Sequence, residues 1–219
     1  MPIVDLTVEL SDQTYSPPSV NLPLAVTVFT KEPGWQATKV DLMLHSGSHV
    51  DFSKHYRTDG ETADAVSLER VCGSAIVIDL SAISPNTPIT VELLERQTPG
   101  IEPGDIVLVR TGWTDAAWGD FPRYYVESPW CEPEAAEWLV SFAPKAVGFD
   151  CFSERAARFS DYSPEDFHVH RIVGNAGAIL MQQLTRLDRL PVGERIEFFA
   201  PFLAVSGAEG APARFFAVI

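Results

Sequence analysis

The segment from His45 to His55 holds three of the chain's five histidines and an aspartate within eleven positions. If the segment is one extended strand, its side chains alternate between two faces, so His45, His49 and Asp51 project from the same side. Gly47 lies between the first two histidines and would leave space for an ion. Two imidazoles and a carboxylate form a common ligand set for Zn²⁺, Mn²⁺ or Fe²⁺, with positions left open for water.

This ligand set favours hydrolytic chemistry over a structural metal site. No cysteine lies near the segment, so a structural thiolate site is excluded. A metal with open positions lowers the pKa of bound water and polarises a carbonyl oxygen. His55 follows Asp51 by four residues and can face the same point, where an imidazole suits proton transfer. One histidine alone is more often a satisfied polar residue than a ligand, so the prediction depends on the joint pattern.

The elements that must position these residues form a mixed α and β domain in which strands outnumber helices. Residues 35–52 are expected to form one long extended run. Further strands are expected at 3–10, 24–30, 75–81, 104–113, 146–153, 178–184, 195–205 and 213–219. Helices are predicted at 90–97, capped by Thr90, and at 132–142 and 163–173. Residues 113–133 read as a long aromatic loop, and long loops of this kind usually bind something.

Length and composition limit the possible number of domains, the partners and the cellular location. The 219 residues suit a single domain, 1–219, and 46% hydrophobic content is enough to fill a core. A formal charge of -14 would repel phosphate backbones, so nucleic acid is not an expected partner. We expect neither a membrane span nor a secretory signal. Three scattered cysteines fit no disulfide framework or CxxC site, which favours the cytoplasm.

The pattern from His45 to His55 resembles the signature H-x-G-T-H-x-D-x-P-x-H of the cyclase-like family of metal-dependent hydrolases, which includes kynurenine formamidases and isatin hydrolases. Segments such as "VDLTVEL", "GDIVLVRTGW", "VGFDCFS" and "GAPARFFAVI" resemble other family elements in the same order. The resemblance implies a swivelling β/β/α fold and a homodimer or homotetramer. Ser48 replaces Thr and keeps the hydroxyl, whereas Ser53 replaces Pro in the turn that aims His55.

A second family element places a glutamate twelve residues after a histidine, and both help to hold a second metal in kynurenine formamidases. Here the matching histidine is His170, whereas position 182 is Gln. A neutral amide binds a divalent cation more weakly and cannot offset its charge. The resemblance to the isatin hydrolase branch therefore implies one metal, Mn²⁺ before Zn²⁺, with Gln182 as a fourth ligand and His170 free for proton transfer. His168 competes with His170 but lacks the twelve-residue spacing.

A substrate pocket beside the metal would need apolar walls, and aromatic faces would suit a planar ring. We predict Phe29, Trp35, Trp113 and Trp118 as substrate-binding residues, although each could instead belong to the core or to a subunit interface. Arg123 and Arg171 could hold a substrate carboxylate, but such arginines are more often surface charges.

These expectations predict a hydrolase that opens a cyclic amide or lactone by attack of metal-bound water on a carbonyl. His55 or His170 would carry protons, and Ser48 would help to stabilise the oxyanion. Hydrolysis of an N-formyl amide, as in kynurenine formamidases, is the first alternative. A cyclase or dehydratase of secondary metabolism is a second, and a binding protein that keeps the fold without catalysis is a third.

Overall fold

A computed structural model of the chain describes residues 1–98 and 100–219, apart from the side chain at position 157. Short strands make up most of the regular structure. They are β1 (Ile3–Asp5), β2 (Ala25–Lys31), β3 (Trp35–Asp41), β4 (His49–Asp51), β5 (Cys72–Asp79), β6 (Pro88–Ile89), β7 (Ile106–Arg110), β8 (Trp130–Cys131), β9 (Ala146–Phe149), β10 (Ile179–Gln182), β11 (Ile196–Phe199), β12 (Gly210–Pro212) and β13 (Phe216–Val218).

The helices are few and short, so the chain belongs to the mixed α and β class that its sequence predicts. The α-helices are α1 (Val91–Gln97), α2 (Trp113–Ala117), α3 (Arg123–Val126), α4 (Pro133–Val140) and α5 (His168–Asn175). Single 3₁₀ turns occur at Ser53–His55, Leu68–Arg70, Ala156–Arg158, Pro164–Asp166 and Leu187–Arg189. No helix in the described part of the chain combines the length and the apolarity that crossing a bilayer requires.

One curled sheet organises the molecule, with the strand order β1-β13-β11-β5-β7-β9-β10-β4-β12. Its centre, β5-β7-β9-β10, is parallel, and the strands on both flanks are antiparallel. The parallel strands are apolar on both sides, as expected when a sheet is covered on both faces. In β5, Val77 belongs to the core on one face, whereas Ile76 and Ile78 belong to the core on the other.

Helices α1, α4 and α5 cover one face of the sheet, and their small or branched residues complete the core there. Leu94 of α1, Ala135 and Leu139 of α4, and Val169 and Val173 of α5 are all buried in that layer. The predicted cap of α1 is confirmed, because the Thr90 hydroxyl accepts a hydrogen bond from the Leu93 amide. The other face is closed by the curled flanks of the sheet, which bury Phe198 and Phe215.

Two sequence predictions are wrong in this region. The extended run expected over residues 35–52 is interrupted, because β3 ends at Asp41 and the chain turns through residues 42–48 before β4 begins. The aromatic loop expected at 113–133 contains α2 and α3, whose aromatic residues fill the core. In both cases the local sequence pattern is compatible with an extended chain, but tertiary packing selects a different conformation.

The hairpin of β2 and β3 stands apart from the main sheet as a separate two-stranded ribbon. Its strands pair over seven residues each, and no residue in either strand is buried. Phe29 and Trp35 are 51% and 60% exposed. An isolated two-stranded hairpin is only marginally stable in water, and a large exposed apolar surface usually marks an interaction site.

Candidate metal centre and active site

Strand β4 carries His49 and Asp51 and lies between two antiparallel neighbours, β10 and β12. Gln182 of β10 is directly opposite His49, and Gly210 of β12 is directly opposite Asp51. Directly opposed residues of paired strands point to the same face of a sheet. All four residues therefore face the layer that contains α5, which places the candidate centre between the sheet edge and that helix.

His45 reaches the same point from the turn that precedes β4, not from a continuous strand. Gly47 adopts a left-handed conformation with φ of +69°, which an L side chain adopts only with strain. A Cβ there would also collide with Leu10 and come 3.3 Å from Val8. The backbone conformation and the packing of this turn therefore require glycine at position 47. This requirement replaces the predicted role of Gly47 in making room for an ion.

Ser48 fixes this turn to two other segments. Its hydroxyl donates to the Gln183 carbonyl at 2.8 Å and accepts from the Val8 amide at 3.0 Å. The side chain is buried, and its one hydroxyl hydrogen is already used. The predicted contribution of Ser48 to an oxyanion site is therefore corrected to a structural role in holding the histidine segment.

The ring orientation of His49 directs its Nε2 atom towards the centre. Its Nδ1 atom donates a 2.7 Å hydrogen bond to the Gly47 carbonyl, because a carbonyl can only accept. In the neutral ring, Nε2 then carries a lone pair, and it lies 3.4 Å from Oδ1 of Asp51. Two acceptors that face each other in a buried site need a proton or a cation between them.

Asp51 is the common neighbour of the three histidines His45, His49 and His170. Its Oδ1 atom lies 2.7 Å from Nδ1 of His45, and its Oδ2 atom lies 3.4 Å from Nε2 of His170. Oδ2 is buried without a hydrogen bond to any described residue. A buried, unpaired carboxylate oxygen is costly, and a bound cation would satisfy it.

The donor set fits a divalent metal. The ligand atoms of His45, His49 and Asp51 lie within 4.8 Å of one another, and all three residues are buried. A second group at similar spacing consists of Asp51, His55 and His170, with Asp51 shared. The convergence that the spacing predicts is present in the structure, although its geometric origin is a turn followed by a short strand.

Charges in the centre are strongly coupled. Burial alone would raise the pKa of Asp51, but the charge of His49 and contacts with the other histidines hold it well below its ordinary value. Burial alone would lower the pKa of His45, but hydrogen bonds to Asp51 and Glu209 raise it to about 9. In the metal-free protein the proton on His45 thus supplies the positive charge that a metal would bring.

Gln182 is buried beside His49, and Ser153 holds its amide. Its Nε2 atom donates to Ser153 Oγ at 2.7 Å, and its Oε1 atom accepts from the Ser153 amide at 3.3 Å. That second bond is long and occupies one of two lone pairs. The predicted role of Gln182 as a fourth ligand would use the remaining lone pair.

His170 lies buried on α5, whereas His168, its competitor in the sequence, is exposed. Glu154 fixes His170, because its Oε1 atom accepts from both the backbone amide and ring Nδ1, each at 2.9 Å. Burial alone would lower the pKa of His170, but the nearby Asp51 carboxylate and the hydrogen bond to Glu154 raise it to about 10. Nε2 is the ring nitrogen that faces the centre.

His55 occupies the open side of the centre, on the 3₁₀ turn Ser53–His55. Its ring stacks on His45 with centroids 4.1 Å apart and lies 5.4 Å from His170. Desolvation by the packed rings, followed by the charge of His45, lowers the pKa of His55 to about 3. Part of the side chain remains exposed, which lets it meet a molecule that enters from solvent.

A cavity of about 490 Å³ opens on this side, and we name it the histidine pocket. A volume of this size is typical of small-molecule sites. Its walls combine two site histidines, aromatic rings and cationic side chains: Lys54, His55, Tyr56, Arg57, Thr58, Tyr162, Pro164, Phe167, His170 and Arg171.

The four aromatic residues predicted to bind substrate do not line this pocket within one chain. Trp113 is buried in the core, where its Nε1 atom donates to the Tyr124 carbonyl, so its predicted role is corrected to a structural one. Trp118 donates to the Glu9 carbonyl and packs on Tyr124. Phe29 and Trp35 lie on the exposed β2–β3 hairpin. The aromatic walls are instead Tyr56, Tyr162 and Phe167.

The structure adds residues that the sequence did not single out. Glu154 and Glu209 contact His170 and His45, but they lie 16 and 164 positions away from them. Glu154 directly follows the segment "VGFDCFS" that resembles the family, which is the only signal in the sequence. Gly210 lies against the His45 ring, so that a Cβ there would be 3.0 Å from Nδ1 and closer still to Cε1.

Comparison with known proteins identifies the family of the chain. The family model for the cyclase family matches residues 4–154. The chain is 28% identical over 175 residues to a kynurenine formamidase of Erythrobacter litoralis (strain HTCC2594), which covers 78% of this chain and 72% of that protein. It is 29% identical over 182 residues to cyclase-like protein 1 of Arabidopsis thaliana, which covers 81% of this chain and 67% of that protein.

Solved structures show the same fold. An isatin hydrolase bound to the product analogue thioisatinate superposes with a TM-score of 0.86 at 24% identity, over 99% of this chain and 92% of that one. Isatin hydrolase A from Ralstonia solanacearum gives a TM-score of 0.81 at 25% identity, over 99% and 91% of the two chains. Because the family model matches more than half of its residues, the chain belongs to the cyclase family.

Proposed function

We propose that this chain is a metal-dependent hydrolase that opens a cyclic amide or a lactone. One observation carries the proposal: the ligand atoms of His45, His49 and Asp51 converge in a buried site, and Oδ2 of Asp51 has no hydrogen bond to a described residue. A divalent cation held by these residues would supply the positive charge that the buried carboxylate lacks. When bound, it would lower the pKa of water and polarise a substrate carbonyl.

His45, His49 and Asp51 would hold this ion, with the Gln182 amide as the fourth protein ligand. We propose one ion per chain, with Mn²⁺ preferred and Zn²⁺ second. A carboxylate at position 182 would neutralise part of the charge of a second ion beside Asp51, His55 and His170, whereas an amide cannot. The similarity to isatin hydrolases supports the hydrolase class, and the one-ion assignment rests on the glutamine at position 182.

The two histidines of the histidine pocket differ in their contacts. The His55 ring lines the pocket beside His45 and is the imidazole best placed to accept a proton from an entering water. Glu154 accepts a hydrogen bond from Nδ1 of His170 and would stabilise the charged form of that ring. We propose that His55 acts as the base and that His170 delivers a proton to the leaving nitrogen or oxygen.

Hydrolysis of an N-formyl aromatic amide is the second candidate function. The 28% identity to a kynurenine formamidase favours it. Both reactions need water attack on a carbonyl beside an aromatic ring, and the histidine pocket provides aromatic walls for either substrate. The two candidates differ in whether the broken bond belongs to a ring.

A substrate screen tests the proposal and separates the candidates. The protein is stripped with chelator, reloaded separately with Mn²⁺ and Zn²⁺, and assayed with isatin, N-formylkynurenine and small lactones. We expect metal-dependent ring opening with Mn²⁺ giving the higher rate. Preferential turnover of N-formylkynurenine would favour the formamidase candidate. Absence of metal-dependent turnover of all three substrate types would contradict the hydrolase assignment.

We also propose that the protein is a homodimer or a higher homo-oligomer, with the β2–β3 hairpin packed against a second copy. The hairpin exposes Val26, Val28, Phe29 and Trp35, and its strands do not pair with the main sheet. A second copy would bury these side chains. In that arrangement Phe29 and Trp35 would reach substrate from a neighbouring subunit, which preserves their predicted role.

A further inference from the structure

The histidine pocket differs in charge from the rest of the molecule. The chain carries a formal charge of -14, yet the described residues that line this pocket include Lys54, Arg57 and Arg171 and no aspartate or glutamate. A neighbouring cavity of about 690 Å³ has the opposite character, with a wall that contains Glu132, Glu134, Glu154, Asp161 and Asp166. An anionic molecule would thus be repelled from the larger cavity and attracted to the smaller one.

Two of the three cations already have partners. Arg57 forms an ion pair with Asp59 at 3.1 Å, and Lys54 donates to the Thr58 carbonyl at 2.5 Å. Arg171 forms no ion pair with a described residue, and its Nε atom is buried without a hydrogen bond. Arg171 lines the histidine pocket and has no counter-charge among the described residues, so an anion in the pocket would supply one.

Arg171 is also close to the proposed chemistry. It directly follows His170 on α5, and both residues line the histidine pocket together with the rings of Tyr56, Tyr162 and Phe167. A ligand that contacts Arg171 would therefore place an attached aromatic ring among those side chains. The carbonyl of that ligand could then face His55 and His170. The binding energy at Arg171 would thus hold the reacting atoms in position.

We propose that Arg171 binds the carboxylate of an aromatic substrate, so that the enzyme prefers anionic aromatic amides or lactones to neutral ones. The proposal rests on the hydrolase function proposed above and narrows its substrate class. A planar guanidinium matches a planar carboxylate through paired hydrogen bonds. Lys54, on the same wall, adds a second positive charge that favours entry of the anion.

Kinetics with matched substrates test this specificity. 2-Formamidobenzoate and its methyl ester share one scissile bond, and isatin can be compared with its ring-carboxylated derivatives. The metal-loaded wild type is compared with Arg171→Gln and Arg171→Lys. Arg189→Gln, at an exposed site, serves as the control, and circular dichroism and metal content verify that each variant is folded and loaded.

We expect the wild type to favour the carboxylates by at least about tenfold in kcat/KM. Arg171→Gln should lower kcat/KM for the carboxylates by roughly 10- to 100-fold, as expected for loss of a hydrogen bond to a charged group. Neutral substrates should change by less than about threefold, and Arg171→Lys should restore part of the loss. Equal losses for charged and neutral substrates, or a wild-type preference for neutral substrates, would overturn the proposal.

A binding measurement separates failure of this proposal from failure of the hydrolase assignment. Anthranilate is a fluorescent aromatic carboxylate, and aniline is its neutral counterpart. Anthranilate should bind the metal-loaded Arg171→Gln protein at least about tenfold more weakly than the wild type, with no such difference for aniline. If turnover is absent but this difference is present, the carboxylate site stands and the hydrolase assignment fails. If turnover is present but Arg171 has no effect, only the carboxylate site is refuted.

Discussion

Oε1 of Glu154 accepts two hydrogen bonds from His170, one from the backbone amide and one from the ring Nδ1 atom, each at 2.9 Å. This contact fixes the ring and stabilises its charged form. Mutation of a residue that orients a functional histidine by hydrogen bonds typically changes activity by 10- to 100-fold.

Glu154→Gln should therefore lower kcat by about 10- to 100-fold, while metal content changes little. The amide keeps a hydrogen-bond acceptor but loses the negative charge that supports the protonated ring. Steady-state kinetics and metal analysis measure the two quantities. Glu132→Gln, in the same cavity wall, is the matched control. An unchanged kcat in Glu154→Gln would refute the positioning role.

The sequence predicted the candidate metal ligands for a reason that the structure only partly supports. Spacing identified His45, His49 and Asp51, but the alternation argument assumed a continuous strand, and the positive φ of Gly47 interrupts it. Periodicity cannot detect one left-handed residue that redirects a chain. The ligands still converge because the turn and β4 together aim them at one point.

Other parts of the site could not be predicted because they depend on packing between distant segments. Glu209 meets His45 across 164 positions, and only the strand order of the sheet brings them together. Trp113 is an aromatic residue of the kind that lines pockets, but the short helix α2 directs its side chain into the core. Strand periodicity and helix caps fixed the mixed fold class, whereas the pocket walls required the three-dimensional arrangement.

The close approach of Gly210 to His45 predicts a sensitive position outside the motif. Gly210→Ala should displace the His45 ring, because a Cβ cannot fit beneath it. We expect metal affinity to fall by at least about tenfold, as for altered positioning of a ligand, while the protein stays folded. Competition with a chelator measures the affinity. Ser206→Ala, exposed in the preceding loop, is the control, and equal affinities in both variants would contradict the prediction.

Ser48 provides a test of its structural role. Ser48→Ala leaves the Val8 amide and the Gln183 carbonyl without their buried partner. The free energy of unfolding should fall by about 1–3 kcal/mol, as measured by urea denaturation. Activity per folded, metal-loaded molecule should stay within about threefold of the wild type, and Ser48→Thr should recover much of the stability. A large loss of kcat without loss of stability would restore the oxyanion role.

The raised pKa of His45 predicts opposite pH trends for the stability of the metal-free protein and for its metal affinity. His45 has a pKa of about 9 in the folded metal-free chain, above the ordinary value near 6.5. Its stabilising contribution is therefore complete below about pH 6.5 and is lost as the pH rises through about 9. Metal affinity should increase over the same interval, because the ion displaces a proton.

Thermal unfolding of chelator-treated protein between about pH 6.5 and 9.5 tests this linkage. The Tm of the metal-free protein should decrease across the range, while the stabilisation that added Mn²⁺ gives should increase. Glu209→Gln should reduce the slope, because Glu209 is one of the two acidic partners of His45. A Tm of the metal-free wild type that rises with pH would contradict the assigned charge states.

The exposed hairpin predicts the assembly state. Trp35→Asp places a charge on the surface proposed to meet a second copy, so the variant should shift toward monomer in size-exclusion chromatography with light scattering. Val205→Asp, at an exposed apolar position outside the hairpin, should leave the mass unchanged. A wild type that is monomeric at all concentrations would refute the proposed dimer, and an unchanged mass in Trp35→Asp would remove the hairpin from the interface.

The most direct test of the account is the metal content of the purified protein and of Asp51→Asn, measured by mass spectrometry of the metal after Mn²⁺ or Zn²⁺ is supplied. The account predicts about one equivalent per chain in the wild type and a loss of at least about tenfold in affinity for the folded variant. A wild type that retains no metal, or an Asp51→Asn protein that binds it equally well, would contradict the claim that the two histidines and Asp51 hold a cation.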